Sequence, residues 1–268
     1  MKRLLIAFYF IFNLLITPGA FSQKENTVYV YQDEGVSEES LKQTILTFQR
    51  LIKKYAVVTI NAKQVKEGVW TKNAILFVMP GGADLPYVTK LNGQGNEVIK
   101  QYVTNGGSFL GICAGSYYGS SYVEFDKNGP LEVLGDRELG FFKGSAIGPI
   151  LAPYDYKTQS GSRAAAIHTT LPNVTRTMVF YNGGGFFENA EQYPNTKVIG
   201  TYDNNLPAII LINYGKGKVL LSGVHFEYDP SLLNSKDQHI QKIIEPLREG
   251  NDLREVLFED LMKLIGVK

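Results

Sequence analysis

The strongest constraint on the fold is an apolar run, Ser108 to Ile112, that ends in Gly111-Ile112-Cys113-Ala114-Gly115. A chemically capable side chain between two flanking glycines marks a sharp turn where a strand meets a helix. Larger residues at the glycines would collide with neighbouring strands. A helix is expected to begin near Ala114, leaving the thiol above the sheet beside a helix start whose dipole favours thiolate. These five residues also admit a second reading, a small, inert cysteine packed between two glycines.

The surrounding patterns supply the sheet that such a turn needs. Thr27 to Tyr31 and Ala56 to Ile60 are short β-branched strands, and Glu38 to Lys54 has helical spacing. Ala74 to Met79 is continuously apolar, as befits a strand buried on both faces of a parallel sheet. Asn96 to Thr104 reads as a helix stopped by Asn105-Gly106-Gly107. This alternation predicts an α/β fold, a three-layer α/β/α sandwich around a mostly parallel, flavodoxin-like central sheet. From Leu131 to Thr201 the pieces are short and β-like, Tyr214-Gly215-Lys216-Gly217 joins a hairpin, and Gln238 to Ile265 reads as helix.

Composition removes several function classes. In 268 residues, Lys+Arg 27 balance Asp+Glu 26, so the basic footprint of a nucleic-acid binder is missing. A single cysteine cannot form an intramolecular disulfide, and no Cys/His cluster has metal-ligand spacing. No metal and no cofactor is expected.

The N-terminus reads as a leader. Met1-Lys2-Arg3 is basic, Leu4 to Ile16 is apolar, and Ala20-Phe21-Ser22 offers small residues where a signal peptidase cuts. The expectation is a signal peptide over residues 1–22, a single domain over 23–268, and export to the periplasm or beyond. A membrane anchor is the competing reading, but the run falls short of the ~20 residues that span a bilayer. No integral membrane segment is expected after processing.

Two further motifs bear on the cysteine. His225-Phe226-Glu227 follows the apolar run Val219 to Leu221, and in extended backbone residues two apart face the same side. Imidazole could deprotonate the thiol while the carboxylate orients the ring; alternatively the pair is a solvated strand end. His168 and His239 show no partner in the sequence. Pro80-Gly81-Gly82-Ala83-Asp84-Leu85-Pro86-Tyr87 could bring backbone N–H groups to an oxyanion, or form a plain turn between strand and helix.

Together these segments resemble class I glutamine amidotransferase-like domains, in which a glycine-rich loop, an elbow cysteine and His-x-Glu follow in that order. Pro80 to Tyr87, Leu91-Asn-Gly-Gln-Gly-Asn96, Gly106 to Gly119, Gly135-Asp-Arg-Glu-Leu139 and Tyr181-Asn-Gly-Gly-Gly185 are similar to the N-terminal domain of eukaryotic biotin–protein ligases. The resemblance runs from about Thr27 to Pro230. It implies Cys113 as nucleophile, His225 as base, Glu227 as its orienter, and Gly82 and Ala114 as oxyanion donors. Phe226 stands where amidotransferases carry proline. No Gly-Arg-Gly-Arg stretch of the ligase catalytic domain is present, so biotin transfer is not expected.

The resulting expectation is hydrolysis of a small-molecule or peptide amide, or a γ-glutamyl bond, through a thioester. The rival is a binding module that keeps the amidotransferase shape without turnover. Tyr117 and Tyr118, with Tyr122, Phe141 and Phe142, would line a pocket or fill the core. Asp84 and Asp136-Arg137-Glu138 would orient a polar substrate or serve as a solvated loop or a structural ion pair.

Overall fold

Alternation of buried side chains along the central strands sets the layers. The computed structural model describes residues 26–268, and the expected leader lies outside the described residues. The strands are β1 Thr27–Tyr31, β2 Ala56–Ile60, β3 Ala74–Met79, β4 Ser108–Ile112, β5 Ser120–Phe125, β6 Val133–Asp136 and β7 Phe142–Gly148, followed by β8 Arg163–Thr169, β9 Arg176–Tyr181, β10 Phe186–Phe187, β11 Thr196–Tyr202, β12 Pro207–Tyr214 and β13 Gly217–Ser222. The helices are α1 Glu38–Leu51, α2 Ala62–Glu67, α3 Asp84–Leu91, α4 Gln94–Thr104, α5 Ala114–Tyr118, α6 Gln238–Gln241, α7 Ile244–Glu249 and α8 Asn251–Leu264.

Nine strands form one sheet in the order β2-β1-β3-β4-β13-β12-β11-β8-β9. The first five run parallel, and the rest pair antiparallel outward from β13. Along β3, Leu76 and Val78 pack with Phe48 of α1 and Phe258 of α8, while Phe77 and Met79 pack with Tyr87 of α3 and Ile99 of α4. That period of two places helices on both faces. The fold is therefore α/β, with a central mixed sheet whose parallel half matches the expected sandwich. A second sheet, β10-β7-β5-β6, lies on the α3–α5 side, where Val123, Phe142, Ala146 and Phe187 join that core.

Two segments depart from the sequence pattern. The expected helix through Lys54 ends at Leu51, where the Ile52 N–H closes on Phe48 and a turn follows. The C-terminal segment is three helices rather than one. Pro246 lies in the first turn of α7, where the missing N–H is tolerated, but inside one continuous helix its ring would clash with the preceding turn. Among the described residues no helix is long and apolar enough to cross a membrane.

Candidate active site

Three adjacent parallel strands end at one edge of the sheet, and each delivers one part of the site. Gly81-Gly82 follows β3, Cys113 follows β4, and His225 lies three residues beyond β13. Cys113 adopts φ 51° and ψ −109°, a sparsely populated conformation for a residue with a side chain. Its own N–H bonds Ser222 O across the sheet, and its carbonyl accepts from the N–H groups of Ser116 and Tyr117. Both ends of the turn are thereby held, and the glycines let it pass close to β3: a Cβ on Gly115 would lie 2.0 Å from Met79 O.

The Cys113 thiol and the His225 ring line the same cavity, near enough for the thiol to influence the ring's charge. Cys113 Sγ approaches Asn182 O at 3.6 Å. His225 Nδ1 lies 2.8 Å from Glu227 Oε1, and Glu227 is wholly buried. Burial alone would discourage a charge on the ring, but the Glu227 carboxylate and Cys113 outweigh it. The His225 pKa is raised from 6.5 to about 10.

Backbone contacts fix this segment. His225 N–H donates to Phe180 O (2.8 Å), Arg254 Nη1 to Phe226 O (3.0 Å) and Thr47 Oγ1 to Glu227 O (2.7 Å). Phe226, where amidotransferases have proline, is fully buried against Phe258. Packing here does the work that a rigid ring would do.

The Gly81-Gly82 loop is pinned to the turn that leads into α1. Ser37 N–H donates to Gly81 O and Ala83 N–H to Gly35 O, so the intervening Gly82 N–H points away from that bridge. Among the described residues neither Gly82 N–H nor Ala114 N–H has an intramolecular acceptor. Gly81 N–H is already committed to Ser40 Oγ at 2.9 Å. The ring of Tyr228 lies 4.4 Å from that of His225. Gly81 itself gives the imidazole room, since a Cβ there would lie 2.7 Å from His225 Cε1.

A cavity of about 430 Å³ opens over Cys113, His225, Gly82 and Ala114. This much of the site is a cysteine on an elbow, a buried His–Glu pair and two free N–H groups at the mouth of one cavity. The family model described as "Biotin-protein ligase, N terminal" matches residues 26–268. The chain belongs to the biotin-protein ligase N-terminal family. An uncharacterized protein of Chlamydia muridarum is 35% identical over 246 residues, covering 88% of this chain and 93% of that one. The biotin–protein ligase of Schizosaccharomyces pombe is 32% identical over 252 residues, which cover 90% of this chain but 38% of the ligase. A ThuA-like protein of Bacteroides uniformis has a TM-score of 0.52 at 10% identity, covering 90% of this chain and 92% of that one. A β-galactosidase from Bacillus circulans sp. alkalophilus reaches 0.52 at 12% identity, over 91% of this chain and 31% of that one. At such identities the likeness is one of fold.

Within this member of the biotin-protein ligase N-terminal family, the other residues singled out in the sequence separate. Tyr117 and Asp84 line the cavity. Tyr118 does not: it is fully buried and donates its hydroxyl to Asn96 Oδ1 at 2.7 Å. Phe141 and Phe142 are core residues, and Tyr122 lies on β5 away from the cavity. Arg137 Nε donates to Asp84 Oδ2 at 2.7 Å, so part of the 136–138 run is an ion pair, and Glu138 instead accepts from Gly93 N–H and Asn96. His168, without a partner in the sequence pattern, meets Asp203 at 2.7 Å on the surface, brought there by the pairing of β8 with β11. Asn182, Ser40, Tyr228, Thr47 and Arg254 were not singled out by motif. Only Asn182, inside Tyr181-Asn-Gly-Gly-Gly185, carried a local signal.

Proposed function

We propose that the chain is an exported cysteine-dependent amide hydrolase that works through a thioester on Cys113. The observation that carries this reading is the placement of the Cys113 thiol in one cavity with a His225 ring whose Nδ1 is held by a buried Glu227. The His225 ring already carries its proton, and the sulfur paired with it attacks the amide carbonyl as thiolate. The free N–H groups of Gly82 and Ala114 receive the developing oxyanion. As the C–N bond breaks, the imidazolium passes its proton to the departing amine. Water then gives a proton to His225 and attacks the thioester, and the C–S bond breaks to release acid. Glu227 keeps the ring oriented and stabilises its charge.

A second reading, a binding module without turnover, draws on one observation. Cys113 is only 7% exposed and turns its sulfur toward the Asn182 carbonyl, as a structural thiol would. Intact-mass spectrometry after incubation with glutamine, γ-glutamyl and peptide amides separates the two. The hydrolase reading expects an acyl adduct and free amine, both lost in Cys113→Ala with the fold retained. No Cys113-dependent product across the panel leaves the binding module. Export is tested on protein from the native envelope: loss of about the first 20–22 residues supports it, and Met1 retained in a membrane fraction refutes it.

A further inference from the structure

The cavity over Cys113 carries more carboxylates than cationic side chains. Glu39, Asp84, Asp155 and Asp237 line it against Lys157 and the His225 ring. Of these four acids only Asp84 has an ion-pair partner among the described residues, Arg137. Asp84 is 8% exposed; Arg137 holds its Oδ2, and no donor reaches its Oδ1 among the described residues. Asn182 is a second case: its amide nitrogen is committed to Gln159, and its Oδ1 is buried without a partner. A buried amide oxygen without a donor is costly until a ligand supplies one.

The remaining wall is aromatic. Tyr117, Phe125, Tyr154 and Tyr156 run as a chain of edge contacts at 5.7, 5.9 and 4.8 Å. Across from them Phe180 stacks on Tyr228 at 4.7 Å. Ring faces beside carboxylates that outnumber the cationic groups favour a cation, and they disfavour an anionic ligand of the same size.

We infer that the cavity takes a cationic amide, one carrying an ammonium or guanidinium group that sits between Asp84, Glu39 and the tyrosine wall. This rests on reading the cavity as the substrate site, but its test requires no turnover. N-acetyl-arginine amide and its neutral isostere N-acetyl-citrulline amide are titrated by calorimetry into Cys113→Ala protein. The arginine compound is expected to bind at least about tenfold tighter at low salt, with the advantage shrinking as salt rises. Glu39→Gln and Asp84→Asn in that background should each cut the ratio several-fold; Glu39→Gln keeps the test open if Asp84→Asn, which weakens the Arg137 pair, does not fold.

The sole thiol gives an independent measurement. Cys113 in the parent protein is treated with 2-(trimethylammonium)ethyl or 2-sulfonatoethyl methanethiosulfonate, each forming a mixed disulfide and releasing methanesulfinate. Relative to free N-acetylcysteine amide, the cationic reagent should be favoured about tenfold or more. Equal binding of the arginine and citrulline compounds, or an anionic preference in the thiol reaction, overturns the inference. Failure to detect an acyl-enzyme while the cation preference holds would remove the hydrolase and leave a cation-binding module.

Discussion

Replacing Glu227 by glutamine removes one charge and nearly no volume, and it should reverse the electrostatics of the site. His225 is wholly enclosed, so burial alone pushes its pKa below 6.5; Glu227 is the foremost influence raising it to about 10. With glutamine, introduced in Cys113→Ala protein, both raising influences are gone and the burial remains. The titration midpoint should fall by more than about three units, to below the unperturbed ~6.5. The parent His225 contributes stability that is full below pH ~6.5 and lost as pH climbs toward 10, because the folded state holds its proton more tightly than the unfolded one. In Glu227→Gln the sign inverts: the folded state resists protonation, so this contribution is present above ~6.5 and lost on acidification. Ring chemical shifts of His225, followed by NMR from pH 4 to 11, measure this directly. Chemical denaturation across the same range checks the stability signs. A Glu227→Gln midpoint within one unit of the parent would refute the argument, since something other than this carboxylate and the thiol would then be charging the ring.

Two further substitutions probe how the site is held. Gly115→Ala places a Cβ 2.0 Å from Met79 O and 2.7 Å from its carbonyl carbon, backbone that cannot step aside. Urea unfolding should show a loss of about 2–4 kcal/mol, with slowed alkylation of Cys113 as the elbow shifts; parent-like values would mean the close approach to β3 is not required. Ser40→Ala leaves the Gly81 N–H without its 2.9 Å acceptor. A loss of about 1–2 kcal/mol is expected by the same measurement, and an unchanged midpoint would show that solvent takes over the bond.

The parallel half of the sheet was legible because strands buried on both faces are written as continuous apolar runs with abrupt ends. β1, β3 and β4 fall on the residues that the pattern marks, and β2, a half-exposed edge strand, was legible from its β-branched run instead. α3 was not legible: Asp84-Leu85-Pro86 reads as loop, yet Pro86 falls in the first turn of a helix, where it costs no hydrogen bond. In the antiparallel half the strands could be sensed but not their order, since pairing β11 with both β12 and β8 depends on contacts that no local pattern encodes. The same division runs through the site. Cys113, Gly82, His225 and Glu227 sit in short motifs whose chemistry is recognisable. Thr47, Ser40 and Arg254 act on them from distant helices, and a buried polar residue on a helix has no signature until its partner is placed.

Strand order explains why the motifs converge despite their separation along the chain. β3, β4 and β13 are consecutive in the sheet and parallel, with Met79 opposite Gly111 and Ile112 opposite Ser222. Neighbouring strands lie about 4.8 Å apart. Whatever follows these strands at their carboxyl ends is therefore brought into one row: Gly81-Gly82 loop, thiol, imidazole. The chain between β4 and β13 can be long without disturbing that row, because β13 returns to pair with β4 in fixed register. That intervening chain builds the second sheet and the antiparallel edge, and from it come Asn182, Tyr154, Tyr156 and Asp155, which wall the cavity. On the proposed reading the parallel half of the fold supplies the reacting groups, and the segment inserted between β4 and β13 supplies much of the wall that a ligand meets. Substitutions in that segment should change ligand preference before they change how the Cys113 thiol is alkylated.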